Sequence, residues 1–234
     1  MFSVGSFNVH WGGLRPDGRP YDVTTACLAV DADVLVVQEA WWADDGSSFL
    51  DDVAEKGGYE LLEHPLSRGI ARRDTRERPP PIGHWGVAVL TRFPVLSTRA
   101  LPLGEVPIDR VSNRSALQVQ IEVDGAVVDL VAVHASALTV VGPVLQLRRL
   151  RPQLPLDRPT IIAGDLNITP RAVAQLLGDW TRAVTGNTWP SPRAVAQIDH
   201  VLVSEHFTVE RGDVLPDLGS DHLPIRVELS WAQP

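Results

Sequence analysis

Apolar runs that break off abruptly in Asn, Asp, Glu or His recur along this 234-residue chain. Phe2 to Val9 reads as a strand, and Asp22 to Val30 as a short helix with Asp22 at its N-cap. The continuous run Val34 to Gln38 has the character of a strand buried on both faces. Ser47 to Lys56 reads as a helix, capped by Ser47 or Ser48 and stopped by Gly57-Gly58. Tyr59 to Glu63 returns as a strand, and Ser67 to Gly83 is an irregular loop. Trp85 to Thr91 and Val95 to Leu101 are strands joined at Phe93-Pro94. Ala116 to Val123 alternates through Leu117, Val119, Ile121 and Val123, as a half-buried strand does. Asp124-Gly125 supplies a tight hairpin turn, with Val127 to Val133 as the partner strand. Val144 to Leu150 is a helix that Pro152 ends, Thr160 to Gly164 a strand, and Arg171 to Leu177 a helix. Ile198 to Val203, Thr208 to Val214 and Leu223 to Leu229 are closing strands.

The early strands alternate with helices, while the middle and end form hairpins. A purely parallel sheet does not fit that order. The pattern predicts an α+β fold of two packed mixed sheets with helices on their outer faces. No short-period repeat and no boundary interrupts it, so residues 1–234 are expected to form a single domain. Hydrophobic residues make up 44% and charged residues 21%, the balance of a globular protein. The formal net charge of -8 counts against an enzyme that grips long nucleic acid by charge alone. The single cysteine, Cys27, excludes an intrachain disulfide and lies in an apolar run that predicts burial. With no basic leader and no membrane-length apolar stretch, the expectation is a cytoplasmic monomer with no membrane span.

Polar residues at the strand ends carry the chemistry. Asn8 follows Phe7, Glu39 follows Val34 to Gln38, and His134 follows Leu130 to Val133. Asp165 and Asn167 follow Ile161 to Gly164; Asp199-His200 precedes Val201, and Asp221-His222 precedes Leu223. Ends of core strands hold side chains rigidly. Carboxylates and amide oxygens gathered there suit a hard cation, Mg²⁺ or Mn²⁺. Histidines add groups that titrate or donate hydrogen bonds near neutral pH. Any one of these residues alone is more often a turn former, a helix cap or a core histidine; their recurrence points to a site.

The pieces Ser6-Phe7-Asn8-Val9-His10-Trp11, Gln38-Glu39, Gly86 to Val95, Val133-His134, Gly164-Asp165-Leu166-Asn167, Thr188-Trp189-Pro190, Ile198 to Ser204 and Ser220-Asp221-His222-Leu223-Pro224 occur in a set order along nearly the whole chain. In this the sequence resembles the endonuclease/exonuclease/phosphatase superfamily. The Gly-Asp-Leu-Asn and Ser-Asp-His pieces are the most specific. The resemblance implies a DNase I-like four-layer α/β-β/α sandwich and a divalent-metal-dependent phosphoesterase, of nuclease or phosphodiesterase type. A phosphatase or sphingomyelinase-like hydrolase is the alternative, and a catalytically idle binding protein a remote one. It further implies Glu39 as the principal metal-binding glutamate, Asn8 as an asparagine helping to hold the metal, and Asp221 as a further acidic residue of that site. His222 would lie beside the scissile phosphate with Asp199 orienting it. Asp165 would position or deprotonate the attacking water, Asn167 would contact phosphate, and His134 would stabilise phosphate charge. Where some members carry an acidic residue two positions after the asparagine, this chain has His10, either a ligand in its place or a residue of the rim.

The residues narrow the substrate less. The loop 67–83 holds Arg68, Arg72, Arg73, Arg76 and Arg78 against Asp74 and Glu77, and is either a phosphate-facing loop or a solvated one. Arg114, beside Asn113, is a further candidate for phosphate. Trp11, Trp41, Trp42 and Trp85 lie next to the site motifs and either stack on substrate or pack in the core. The expected partner is a phosphoester, with single-stranded or nicked nucleic acid and small diesters as open as duplex DNA.

Overall fold

Strict alternation along the strands sorts the apolar side chains into three cores. The computed structural model describes residues 1–233 apart from 73–80, 107, 108, 110, 112, 113 and 140. The strands, in chain order, are β1 (Phe2–Asn8), β2 (Val34–Ala43), β3 (Glu60–Ile70), β4 (Ile82–Thr91), β5 (Val95–Gly104), β6 (Arg114–Val123), β7 (Ala126–His134), β8 (Thr160–Asp165), β9 (Thr181–Arg182), β10 (Asp199–Val203), β11 (Phe207–Val214) and β12 (Ile225–Trp231). Between them lie the single turn α1 (His10–Gly13) and the helices α2 (Val23–Ala29), α3 (Phe49–Gly57), α4 (Val141–Leu150) and α5 (Pro170–Leu176).

The strands form two six-stranded sheets, ordered β11-β12-β1-β2-β4-β3 and β5-β6-β7-β8-β10-β9. Each is mixed: β1 runs parallel to β2, and β7 parallel to β8, among otherwise antiparallel neighbours. Val4, Val34, Val36 and Val89 of the first sheet meet Val119, Leu130, Ile161 and Val201 of the second in the central core. The alternate residues Leu35, Val37, Ala88 and Leu90 face the other way and pack with Cys27, Leu50 and Val53 of α2 and α3. Val131, Val133, Ile162 and Leu202 pack in the same manner with Leu147, Leu150 and Val173 of α4 and α5. This is the four-layer α/β-β/α sandwich. Period-two strands with apolar residues on both faces are what such layering requires.

Local signals fix the early helices. The Asp22 carboxylate accepts the Thr25 N–H at 3.0 Å. Ser48, rather than Ser47, caps α3 in a full capping box with Asp51, and Gly58 ends that helix at φ 66°. Each such cap contributes about 1 kcal/mol. The structure departs from expectation at 67–83. The ladder of β3 and β4 continues out to Ile70↔Ile82, and β2 runs on through Trp41 and Trp42 to Ala43. Alternation gives no warning of this, because the projecting ribbon is polar and half exposed. Among the described residues, no helix is long and apolar enough to cross a membrane.

Candidate active site

The same alternation assembles the site. On β8 the side chains of Ile161 and Ala163 point into the central core, so Asp165 does as well, one step past its edge. Asn8 continues the row of Phe2 and Val4, His134 the row of Leu130 and Ala132, and Asp199 the row of Val201 and Val203. Register aligns them across the sheets: His134 and Asp199 both sit opposite Asp165, and Asn8 sits opposite Gln38. Strand neighbours lie about 4.8 Å apart, so the mouth between the two sheets gathers polar groups without any special loop. Gly164 lets β8 come this close to β7, because a Cβ there would fall 1.9 Å from the Val133 carbonyl oxygen.

Glu39 arrives by another route. Its position on β2 would send the side chain toward the helices. A β-bulge between Gln38 and Ala40, with Glu39 at φ 56°, turns it back into the site. Its Oε1 accepts the Asn8 Nδ2–H at 3.2 Å, and its Oε2 accepts the Trp11 backbone N–H at 2.8 Å. His10, Trp11 and Asn167 also take positive φ, 47°, 51° and 50°. Left-handed backbone costs a residue with a Cβ roughly 1–2 kcal/mol, and strain of this kind collects at functional sites.

His222 lies 95% buried. Its Nδ1–H donates to Asp199 Oδ2 at 2.9 Å, which leaves Nε2 facing Asp165 Oδ2 at 3.8 Å and Asp221 Oδ1 at 3.9 Å. Burial works against a charge on the ring, but Asp199, Asp165 and Asp221 outweigh it and raise its pKa above the ordinary histidine value. Asp165 shifts upward too, first through burial and then through the Asp199 charge. His134, with Nε2 3.8 Å from Asp165 Oδ2, is held neutral by burial and by Arg114. Ligand atoms of Asp165, Asp199 and His222 come within 4.8 Å of one another. Asp221 is braced by the Trp189 indole, which donates to its Oδ2 at 3.3 Å, and its Oδ1 stands 3.9 Å from His10 Nδ1.

The resemblance puts Asn8 among the metal-holding residues, and the structure shows how it is held: its side-chain amide oxygen accepts the His10 backbone N–H at 3.0 Å. Its Nδ2 donates to both Glu39 and Asp165, the latter at 3.1 Å. The flipped amide would set oxygen against two carboxylates. Asn8 therefore ties Glu39 and Asp165 together. Arg114 was expected against phosphate. It is instead buried, its Nε bonded to Asp109 Oδ2 at 2.7 Å and a terminal nitrogen to the His134 carbonyl at 3.2 Å. A buried carboxylate claims it, and it steadies His134. Asn167 donates one amide hydrogen to the Ala135 carbonyl at 3.0 Å, while its backbone N–H donates to Asp165 Oδ1 at 2.9 Å. Arg73, Asp74, Arg76, Glu77, Arg78 and Asn113 lie outside the described residues. Arg68 pairs with Asp44. Sequence reasoning gave no role to Trp189 or Gln38. The Thr-Trp-Pro motif flagged the first. Gln38, whose side-chain amide donates to the Ser6 hydroxyl at 3.1 Å, is marked only by ending an apolar run and by the Gln38-Glu39 piece.

His200 faces away from the cleft and pins the loop that carries Asn167: its Nε2–H donates to the Ile168 carbonyl at 2.9 Å. Its Nδ1 is buried with no hydrogen-bond partner among the described residues, and burial lowers its pKa. Below about pH 6.5 the unfolded chain binds a proton that the folded ring resists, so stability falls on acidification. The slope is about 1.4 kcal/mol per pH unit for each such proton. Thermal unfolding at pH 7.5 and 5.5 is expected to show a smaller acid loss in His200→Gln, which can still donate to Ile168; equal losses would exclude the assignment.

The sequence matches the model of the Endonuclease/Exonuclease/phosphatase family over residues 5–222. No curated protein matches it. Among solved structures, an endonuclease/exonuclease/phosphatase from Beutenbergia cavernae is similar at 24% identity and TM-score 0.75, over 98% of this chain and 71% of that one. A mannosyl-6-phosphatase from Bacteroides thetaiotaomicron is similar at 20% identity and TM-score 0.72, over 99% of this chain and 100% of that one. The human Nocturnin catalytic domain with bound sulfate is similar at 18% identity and TM-score 0.72, over 99% and 93%. At these identities the structural likeness establishes the fold.

Proposed function

The chain belongs to the endonuclease/exonuclease/phosphatase family, and from that premise we propose that its cleft hydrolyses a phosphodiester with a divalent cation, in the manner of a nuclease or phosphodiesterase. The observation that carries the reading is the Asp199–His222 pair, set against Asp165 at the mouth of the two sheets. A carboxylate whose proton affinity is raised by burial is a stronger base, and Asp165 stands ready to orient and deprotonate a water. His222, fixed by Asp199 and biased toward its charged form, presents Nε2–H to negative charge growing on the phosphate or its leaving oxygen. Neutral His134 and the remaining N–H of the Asn167 amide are further donors for the non-bridging oxygens.

The donor set fits a hard cation. Glu39, Asp165, Asp199 and Asp221 crowd one cleft; Asp165 is shifted upward first by burial and then by the Asp199 charge, and a cation would relieve that repulsion. Glu39 and Asp221 would hold Mg²⁺ or Mn²⁺, with Asn8 keeping Glu39 in place. Asp199 is committed to His222, so the Asp165–Asp199–His222 group is read as proton-handling. When bound, the cation supplies neutralisation of non-bridging oxygens and stabilisation of the leaving oxygen.

The fold relative described as a mannosyl-6-phosphatase keeps a monoester substrate as the second reading. Rates on bis-p-nitrophenyl phosphate, p-nitrophenyl phosphate, single-stranded DNA, RNA and plasmid DNA separate the two. Cleavage of the diester at least about tenfold faster than the monoester is expected. Monoester hydrolysis alone would overturn the diester assignment. The net charge of -8 counts against gripping a long duplex by charge alone and leaves single strands and small diesters as open as duplex DNA.

A further inference from the structure

Trp11 belongs to two structures at once. Its backbone N–H is bonded to Glu39 Oε2 at 2.8 Å, so it borders the carboxylate proposed to hold the cation. Its indole meets Trp85 edge to face with ring centres 5.6 Å apart, and Trp85 in turn leans on Trp41 at 6.3 Å. Gly12 makes room for this stack: at φ +71°, a Cβ there would sit 3.2 Å from the Trp41 Cβ and 3.5 Å from the Trp85 ring. The guanidinium of Arg72 covers the Trp11 face, its central carbon 3.5 Å from the ring centre.

Arg72 is placed, too. The Ala71 N–H donates to the Pro81 carbonyl at 2.9 Å and closes the β3–β4 ribbon one residue before it. Arg68, Arg92, Arg114 and Arg151 each pair with an aspartate, whereas Arg72 has no ion-pair partner among the described residues. A guanidinium stacked by its face keeps its in-plane N–H fork directed outward, in the geometry that reads phosphate or carboxylate edge-on. Stacking also removes much of the rotamer freedom that a free arginine would lose on binding.

We infer that Arg72 on the Trp11 platform is a second anion subsite, which takes a phosphate of the substrate other than the scissile one. The inference rests on the phosphodiester reading for its substrate and on its own geometry for its anion. The preferred substrates are then diesters that carry a further phosphate close by, as nucleotide chains and phosphorylated nucleotide ends do. Trp11 and Trp85 position the guanidinium and need not touch substrate.

Two measurements test this. Wild-type protein with Mn²⁺ is offered thymidine 5′-(p-nitrophenyl phosphate) with and without a 3′-phosphate. The kcat/KM ratio is expected to favour the two-phosphate probe by about tenfold, the scale of one charge-assisted hydrogen bond. Arg72→Ala should bring that ratio near one. Arg92→Ala, which removes an arginine stacked 4.6 Å from Tyr59 and bonded to the Gly57 carbonyl away from the cleft, should leave it unchanged. The second measurement uses pyrophosphate in EDTA, followed by tryptophan fluorescence. Wild type should respond saturably and Arg72→Ala should not. Equal losses on both probes, or the same titration in both proteins, would overturn the subsite. So would an Arg72→Ala variant that gains on the nucleoside probe over bis-p-nitrophenyl phosphate, since the Trp11 face would then be a slot for a base. Should no diester be cleaved at all, the hydrolase reading fails while the EDTA titration still decides Arg72.

Discussion

His222→Ala is expected to lower kcat on bis-p-nitrophenyl phosphate by about 10²–10³, the usual cost of removing one preorganised donor from developing charge. Asp199→Asn should fall nearly as far. Its amide can turn an N–H toward His222 Nδ1, which selects the wrong tautomer and withdraws the negative charge that keeps the ring protonated. Because Asp199 acts chiefly through His222, with its charge on Asp165 a second route, the double variant should lose little more than the worse single one; groups that work as a unit are non-additive. A double variant slower by the product of the two losses would show that they act separately. The KM should change much less than kcat, since the pair is directed at the transition state rather than at ground-state binding.

The second large effect concerns Glu39. Its two oxygens are occupied by the Asn8 amide and the Trp11 backbone N–H, and both donors would survive its replacement by glutamine with at most one bond satisfied. Glu39→Gln should raise the Mn²⁺ or Mg²⁺ concentration for half-maximal activity by 10–100-fold or more, at least the loss seen when merely supporting residues of metal sites are changed. A ligand that binds only the folded state adds about 2.7 kcal/mol of stability at 100 times its Kd. Wild-type melting temperature should therefore rise with added Mn²⁺, while Glu39→Gln should show little rise. Equal shifts in the two proteins would remove Glu39 from the metal site.

Much of this site was legible because it is a continuation of the core. Alternation along β1, β7, β8 and β10 sends Asn8, His134, Asp165 and Asp199 into the space between the sheets just where the apolar residues stop. Those same rows of valine and leucine are the strongest pattern in the sequence. Glu39 is the exception. Alternation alone directs it to the helix side, and its place at a strand end and the resemblance pointed to the site; the bulge that turns it is a backbone event with no residue signature of its own. Arg114 shows a different limit. Its chemistry suits phosphate, but its partner Asp109 lies in a connecting segment whose path no periodicity describes. The projecting β3–β4 ribbon was hidden for a third reason. Its strands are paired by backbone hydrogen bonds and half exposed on both faces, so neither composition nor alternation distinguishes them from a loop. The arginine of that ribbon that matters most, Arg72, is identified by the ring beneath it rather than by the charge run to which it belongs.

The most direct test is hydrolysis of bis-p-nitrophenyl phosphate by wild-type protein stripped with EDTA, followed by titration with Mn²⁺ and, separately, Mg²⁺. The stripped protein should be inactive, and activity should return saturably with either ion. A full rate in EDTA would contradict a cation-dependent diesterase built on Glu39, Asp165, Asp221 and His222.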